Sequence, residues 1–168
     1  YGYPLDNLGS TVSLWGTPAN AAVGNGGPVR GFGPVMGFVA QTQTAVPQLF
    51  SDDTPQIGNQ LRVLVAQTPP STIVLMLLGV SASSWGGLPL PFDLGGHGAP
   101  GCDLLLDPFD TQFRLANASG ATNLQYNIPN NIYALGLRFY NQAFVLDPPA
   151  NALGVVTTNG GVGLIGNQ

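Results

Sequence analysis

The 168-residue chain contains no lysine and no glutamate. Its four cations are Arg30, Arg62, Arg114 and Arg138, its eight anions are all aspartate, and charged residues are 7% of the total, against about 25% in an average soluble domain. Lys and Glu are strong helix formers and the usual coat of a surface helix, so exposed helices have little to be built from. A formal charge of −4 without a basic cluster excludes the usual electrostatics of nucleic-acid binding and of anionic membranes. One histidine and one cysteine leave too few ligands for a transition-metal site. Cys102 cannot form an intrachain disulfide; it is expected to be a small buried thiol, with an intermolecular bridge as the alternative. The longest apolar run, Ile73 to Val80, is too short for a membrane-spanning helix, which takes about 20 residues.

What remains is apolar, turn-rich and nearly neutral. Hydrophobic residues are 44% of the chain, so it can fold, and its 24 glycines and 15 prolines are dispersed as turns between short strands. Low charge also removes the repulsion that keeps proteins apart, so the surface is expected to meet other copies of the chain. The chain starts at Tyr1 with no visible signal peptide, which is the expected appearance of an exported protein after leader removal.

The spacing divides the chain into an arm over 1–50 and a domain over 51–168. In the arm, Thr11 to Trp15 alternates and residues 16–34 form a Gly/Pro-rich linker. Val35 to Val46 is β-prone and uncharged, a strand stopped by Pro47. In the domain, Asp52-Asp53-Thr54-Pro55 is a turn and Leu61, Val63 and Val65 share one face of a strand. Ile73–Val80 is apolar on both faces and is therefore a central strand. Trp85 to Pro91 reads as a connection. Cys102–Leu106, a short Phe113–Leu115 and Ala121–Ile128 (Leu124, Tyr126 and Ile128 aligned) follow as strands. Tyr133–Leu146 is one long strand or two around a bulge, with a short helix over Ile132–Leu135 as a further reading. Val155–Thr158 and Gly161–Ile165 flank Asn159-Gly160 and predict a closing hairpin with a type I′ turn. Strands every 8–14 residues give an all-β, β-sandwich or jelly-roll-like fold whose N-terminal extension adds a strand in cis or in trans.

A series of segments carries a resemblance. It runs through Pro55-Gln56-Ile57-Gly58, Leu75 to Ser81, Leu88 to Leu94, Gly98 to Leu105, Ile128-Pro129-Asn130, Tyr140 to Asp147, Asn151 to Gly154 and Thr158-Asn159-Gly160. In this order, residues of about 55–166 resemble the all-β, C-terminal-type domain of secreted planctomycete- and myxobacteria-like bacterial proteins. The resemblance implies an exported all-β appendage with no known chemistry. Some members carry a second cysteine nearer the N-terminus; this chain has none.

Candidate chemistry is sparse. Cys102, His97 and Asp93 are close in sequence and would suit a nucleophile, base and orienting acid; a loop histidine beside a core cysteine is the plainer account. A paired-carboxylate glycosidase would draw on Asp93, Asp103, Asp107, Asp110 or Asp147, but turn initiation explains them better. Asp52-Asp53 and Asp103/Asp107/Asp110 are candidate oxygen donors for a structural calcium, without EF-hand spacing. No other cofactor is expected, and the chain is not expected to be an enzyme. Trp15, Trp85, Tyr1, Tyr3 and Tyr133 are candidate sugar-binding aromatics, with Trp85, in Ser83-Ser84-Trp85-Gly86-Gly87, the candidate ligand platform. Asn117-Ala118-Ser119 is a glycosylation sequon in a predicted turn.

Two functions follow. One is an extracellular structural subunit that polymerises when the arm strand, through Val35, Phe38, Val39 and Val46, adds to the sheet of a neighbour. The other is a secreted β-sandwich module that binds polysaccharide or a cell surface through Trp85. The partners expected are other copies of the chain, a polysaccharide or a cell surface, with no nucleic acid and no membrane span.

Overall fold

The computed structural model describes residues 46–167 and three short strands at 14–15, 21–23 and 37–39. The strands are β1 (Leu14–Trp15), β2 (Ala21–Val23), β3 (Gly37–Val39), β4 (Gln48–Ser51), β5 (Gln60–Ala66), β6 (Ile73–Gly79), β7 (Ser84–Trp85), β8 (Leu88–Pro89), β9 (Phe92–Asp93), β10 (Asp103–Leu104), β11 (Asp110–Leu115), β12 (Thr122–Asn127), β13 (Arg138–Leu146), β14 (Val155–Thr157) and β15 (Gly160–Leu164). The larger sheet runs β1-β15-β13-β6-β11, with β14 beside β15 on β13, and the smaller runs β12-β5-β4. Every pairing between these strands is antiparallel. The fold is all-β, as the composition predicts. No helix among the described residues is long and apolar enough to cross a membrane.

Period-two alternation builds the sandwich. Leu49 of β4, Leu61, Val63 and Val65 of β5 and Leu124 of β12 point from the smaller sheet into one cluster with Val74 and Met76 of β6 and Ala143 and Val145 of β13. Their partners in sequence, Leu75, Leu77, Tyr140 and Phe144, point to the opposite face of the larger sheet. There they form a second cluster with Leu90, Phe92, Leu104 and Leu106 from a segment folded over that face. β6 is thus covered on both sides and flanked by β13 and β11, which is why it reads as a continuous apolar run.

The C-terminal segment departs from expectation. β14 and β15 do not form a hairpin: both pair with β13, at Leu146 to Phe144 and at Asn141 to Arg138, as one strand interrupted at Thr158 and Asn159. Asn159 is fully buried rather than at a turn. Its Oδ1 accepts the Leu49 N–H at 2.9 Å and its Nδ2 donates to the Leu49 carbonyl at 3.0 Å. One amide thereby bonds the backbone of β4 as a neighbouring strand would. Beside it, the Thr158 hydroxyl accepts the Ala143 N–H at 2.9 Å and donates to the Asn159 carbonyl.

Other boundaries shift. Cys102–Leu106 is a strand only at β10, paired with β9. Trp85 to Pro91 contains the β7–β8 hairpin, with Gly86 and Gly87 both at positive φ, the geometry of a type I′ turn. Tyr133–Leu146 resolves into a 3-10 turn over Ile132–Ala134 followed by β13. β4 begins at Gln48, before the expected domain boundary at residue 51, and its Leu49 is fully buried in the core.

Replacing Asn159 by alanine leaves a buried N–H and C=O of Leu49 without partners. Asn159→Ala is expected to lose about 2–4 kcal/mol of unfolding free energy, read by urea denaturation. A loss below about 0.5 kcal/mol, the ordinary range for a surface change, would show that the amide does not hold β4.

Candidate functional site

The chemistry-bearing residues concentrate in the chain that leaves β6 and returns at β11. Its two ends are tied by Asp107, whose Oδ1 accepts the N–H groups of Val80 at 2.8 Å and Ser81 at 2.6 Å. Gly79 makes that close approach tolerable, since a Cβ there would stand 2.3 Å from the Asp107 carbonyl oxygen. Gln142, fully buried on β13, holds the returning segment to the sheet. Its Oε1 accepts Leu105 N–H at 3.0 Å, and its Nε2 donates to the carbonyls of Asp103 at 2.8 Å and Thr158 at 3.2 Å. The segment is therefore a fixed cap on the outer face of the larger sheet.

Trp85 stands on this cap at the base of the β7–β8 turn, 43% exposed and paired with Leu88, itself 43% exposed. The position suits a small apolar platform on a rigid hairpin. Tyr133 is exposed on a separate 3-10 turn started by Asn131, whose Oδ1 accepts its N–H. Tyr1 and Tyr3 lie outside the described residues, as does the side chain of Trp15.

Cys102, His97 and Asp93 share the cap but not a reaction centre. Cys102 is buried with its thiol on the Val155 carbonyl at 3.9 Å. His97 ends an exposed 3-10 turn with its ring against Phe92, centroids 5.6 Å apart. Asp93 accepts the Gly95 N–H at 2.7 Å, a turn role.

The aspartates divide in the same way. Asp93 and Asp103 face each other across β9 and β10. Partial burial raises the Asp103 carboxyl above the usual carboxylate range, and the Asp93 charge raises it further. Asp52 pairs with Arg62 at the surface, and the hydrogen bond from that guanidinium holds its carboxyl low. Asp53 accepts the Arg62 N–H at 3.0 Å. Asp103, Asp107 and Asp110 do not converge, and no three His, Cys, Asp or Glu side chains among the described residues surround a point fit for a metal. Asn117 is exposed, but its Oδ1 accepts the N–H groups of Ser119 and Ala121 and the Ser119 hydroxyl, closing the turn.

Of the arm, β1 lies on the larger sheet: Leu14 is opposite Gly161 and Trp15 opposite Gly160 of β15. Phe38 and Val39 pair with Ala22 and Ala21 in a separate β2–β3 hairpin, not with a sandwich strand. Val35 lies outside the described residues, and Val46 is half-buried just before β4. The arm strand on the sheet is therefore the early alternating piece, and within this single chain the addition is in cis.

One surface escaped the sequence reading. On β11 the polar residues Asp110, Gln112 and Arg114 are half-buried, whereas Phe113 is 68% and Leu115 65% exposed, with Phe109 just before them at 76%. The strand is inverted: its apolar row faces outward. The spacing of Asp110, Gln112 and Arg114 at every second position was the available signal.

Comparison with protein-family models, with characterised proteins and with solved structures gave no match to this chain.

Asp103 supplies a prediction. A carboxyl with a raised pKa in the fold destabilises the folded state while it is ionised. The penalty is present at neutral pH and is relieved as pH falls through that raised pKa toward the unfolded value. Asp103→Asn is expected to raise the melting temperature at pH 7 by about 1–3 °C, with the gain gone by about pH 4. A lower melting temperature at pH 7 would mean that the carboxylate is held by favourable contacts.

Proposed function

We propose that the chain is an exported, extracellular structural subunit that assembles into a filament or surface polymer by strand addition through its N-terminal arm. The observation that carries this reading is the β1–β15 pairing. A strand from the arm completes an edge of the larger sheet at Gly160 and Gly161, where the glycines offer backbone alone. About 30 residues separate β1 from β4, enough chain for β1 to reach a neighbouring copy. The hydrogen bonds made within one chain can be made by the arm of another, the exchange that underlies domain swapping. Passed head to tail, the exchange does not close and gives a polymer. Sparse charge and the absence of lysine remove the usual guards of a sheet edge. The resemblance of 55–166 to secreted bacterial all-β domains agrees with a place outside the cell.

The exposure of Trp85 on its hairpin favours a second reading, a module that binds polysaccharide or a cell surface with this side chain as platform. The two readings separate in one experiment. Light scattering and negative-stain electron microscopy are made on the full chain, on Trp15→Pro and on a form lacking residues 1–46. Strand addition predicts filaments or large oligomers in the first and their loss in the other two, since proline at position 15 removes a ladder donor. A monomer in all three forms would reject the polymer and leave glycan binding, checked with Trp85→Ala. That variant is expected to lose binding while its stability stays within about 0.5–1 kcal/mol of the parent.

A further inference from the structure

We propose that the free edge of β11 is a two-fold docking surface for a second copy of this chain, pairing β11 antiparallel with its own counterpart. This interface lies at the opposite side of the larger sheet from β15 and does not rest on the arm.

Among the described residues, β11 has β6 on one side and no strand on the other. The Ala116 N–H donates to the Thr72 carbonyl at 2.8 Å, just beyond the strand. Since backbone groups alternate along an antiparallel strand, Asp110, Gln112 and Arg114 turn theirs to β6. Thr111, Phe113 and Leu115 turn theirs to the open edge. The Phe113 carbonyl is met there by the guanidinium of Arg114, Nη1 donating at 2.8 Å. The edge therefore has an acceptor held by a flexible side chain, in the place where a strand would donate.

Side chains select the partner. With Gln112 opposite Gln112 of the second copy, Asp110 of each chain faces Arg114 of the other, twice across the axis. Thr111 then faces Phe113. The outward residues Thr111, Phe113 and Leu115 fall at the hydrogen-bonded positions, and Asp110, Gln112 and Arg114 at the closer, non-bonded ones. One register therefore satisfies the backbone, places opposite charges together and gathers the exposed Phe113 and Leu115 of both copies on one face. Ile73, opposite Leu115 on β6 and also exposed, extends that face. The sequence Asp110-Thr111-Gln112-Phe113-Arg114-Leu115 is complementary to itself, as a two-fold interface requires.

The test is sedimentation velocity over a range of concentrations on the full-length chain carrying Trp15→Pro, the parent here because it is expected not to polymerise through the arm, with thermal melting as the control for folding. The parent is expected to show a reversible dimer step. Arg114→Asp sets like charges opposite each other and is expected to weaken the dimer about tenfold or more. The double exchange Asp110→Arg with Arg114→Asp is expected to restore it to within about threefold of the parent, because the pairs are reversed but intact. Gln112→Cys places two thiols across the axis and is expected to give a covalent dimer under mild oxidation; Cys102, being buried, does not compete. This cross-link decides the matter if Arg114→Asp does not fold. A parent without a dimer step at about 100 μM, well above the dissociation constant of a specific pair, overturns the proposal. So does a dimer indifferent to Arg114→Asp, or one whose Gln112→Cys form does not cross-link. A dimer that persists when residues 1–46 are deleted supports the proposal, since the β11 edge needs no part of the arm.

Discussion

Along one side a buried side-chain amide bonds the two sheets directly, and much of the sandwich is arranged around it. Asn159 reproduces, from a side chain, the paired donor and acceptor of a neighbouring strand, and offers both to Leu49 of β4. It can do so only because β14 and β15 break their pairing with β13 at that point, which frees the amide to turn out of the larger sheet. A buried amide without partners is strongly unfavourable. Satisfied twice over, it becomes a constraint that fixes β4, and with it the smaller sheet, at one register over the larger one. The neighbouring Gln142 does the same on the opposite face of β13, tying Leu105 and Asp103 down. In a chain almost without charge, buried neutral amides provide the directional contacts that salt bridges provide elsewhere.

This arrangement makes the two sides of the sandwich unequal. The side at β15 is sealed by Asn159 and finished by β1, over glycines that leave only backbone to meet. Where β15 does present a large neighbour, the ring of Phe139 lies over Gly163, so close that a Cβ would stand 2.2 Å from it. The side at β11 and β12 is open and polar within: Gln112 donates to Asp110, Arg114 donates to Gln112, and the Tyr126 hydroxyl accepts from Asn141. Burial first, and the Asp110 charge second, keep the Tyr126 phenol above its ordinary pKa. Asn141 itself has a buried Oδ1 without a partner among the described residues. A polar ladder thus lines the inner side of this edge strand. Here the same residues leave the apolar row outside.

Much of the fold was legible because it depends on period-two patterns of apolar residues. Leu61, Val63 and Val65 lie on one buried face as their alternation requires, and the unbroken Ile73–Val80 run marked β6 as central. The failures have physical causes. Asn159-Gly160 has the composition of a hairpin turn, but local propensity for a turn was outweighed by two long-range hydrogen bonds to a residue 110 positions away, which no local pattern can report. Gly86-Gly87 lies in a segment that reads only as a connection, yet a hairpin formed there, with both glycines at positive φ. The arm's Gly37–Val39 formed a strand within the expected segment, but its partner is another arm strand. Pairing choice depends on which edge is free, which composition does not encode.

The candidate site was legible only as a set of absences and one exposed aromatic. Trp85 stood out because a tryptophan among serines and glycines has little around it to bury it. The inverted face of β11 did not, since alternation gives two faces without saying which one is inside. The deciding fact is that the open side of the sandwich is already filled by Tyr126 and Asn141, polar groups that accept polar neighbours better than they accept Phe113 or Leu115. Turning β11 over would set Asp110 and Arg114 in water at little gain and press two large apolar side chains against a phenol and an amide. The strand therefore exposes the row that a monomer would hide, and the exposed row follows from how the interior of the same edge is satisfied.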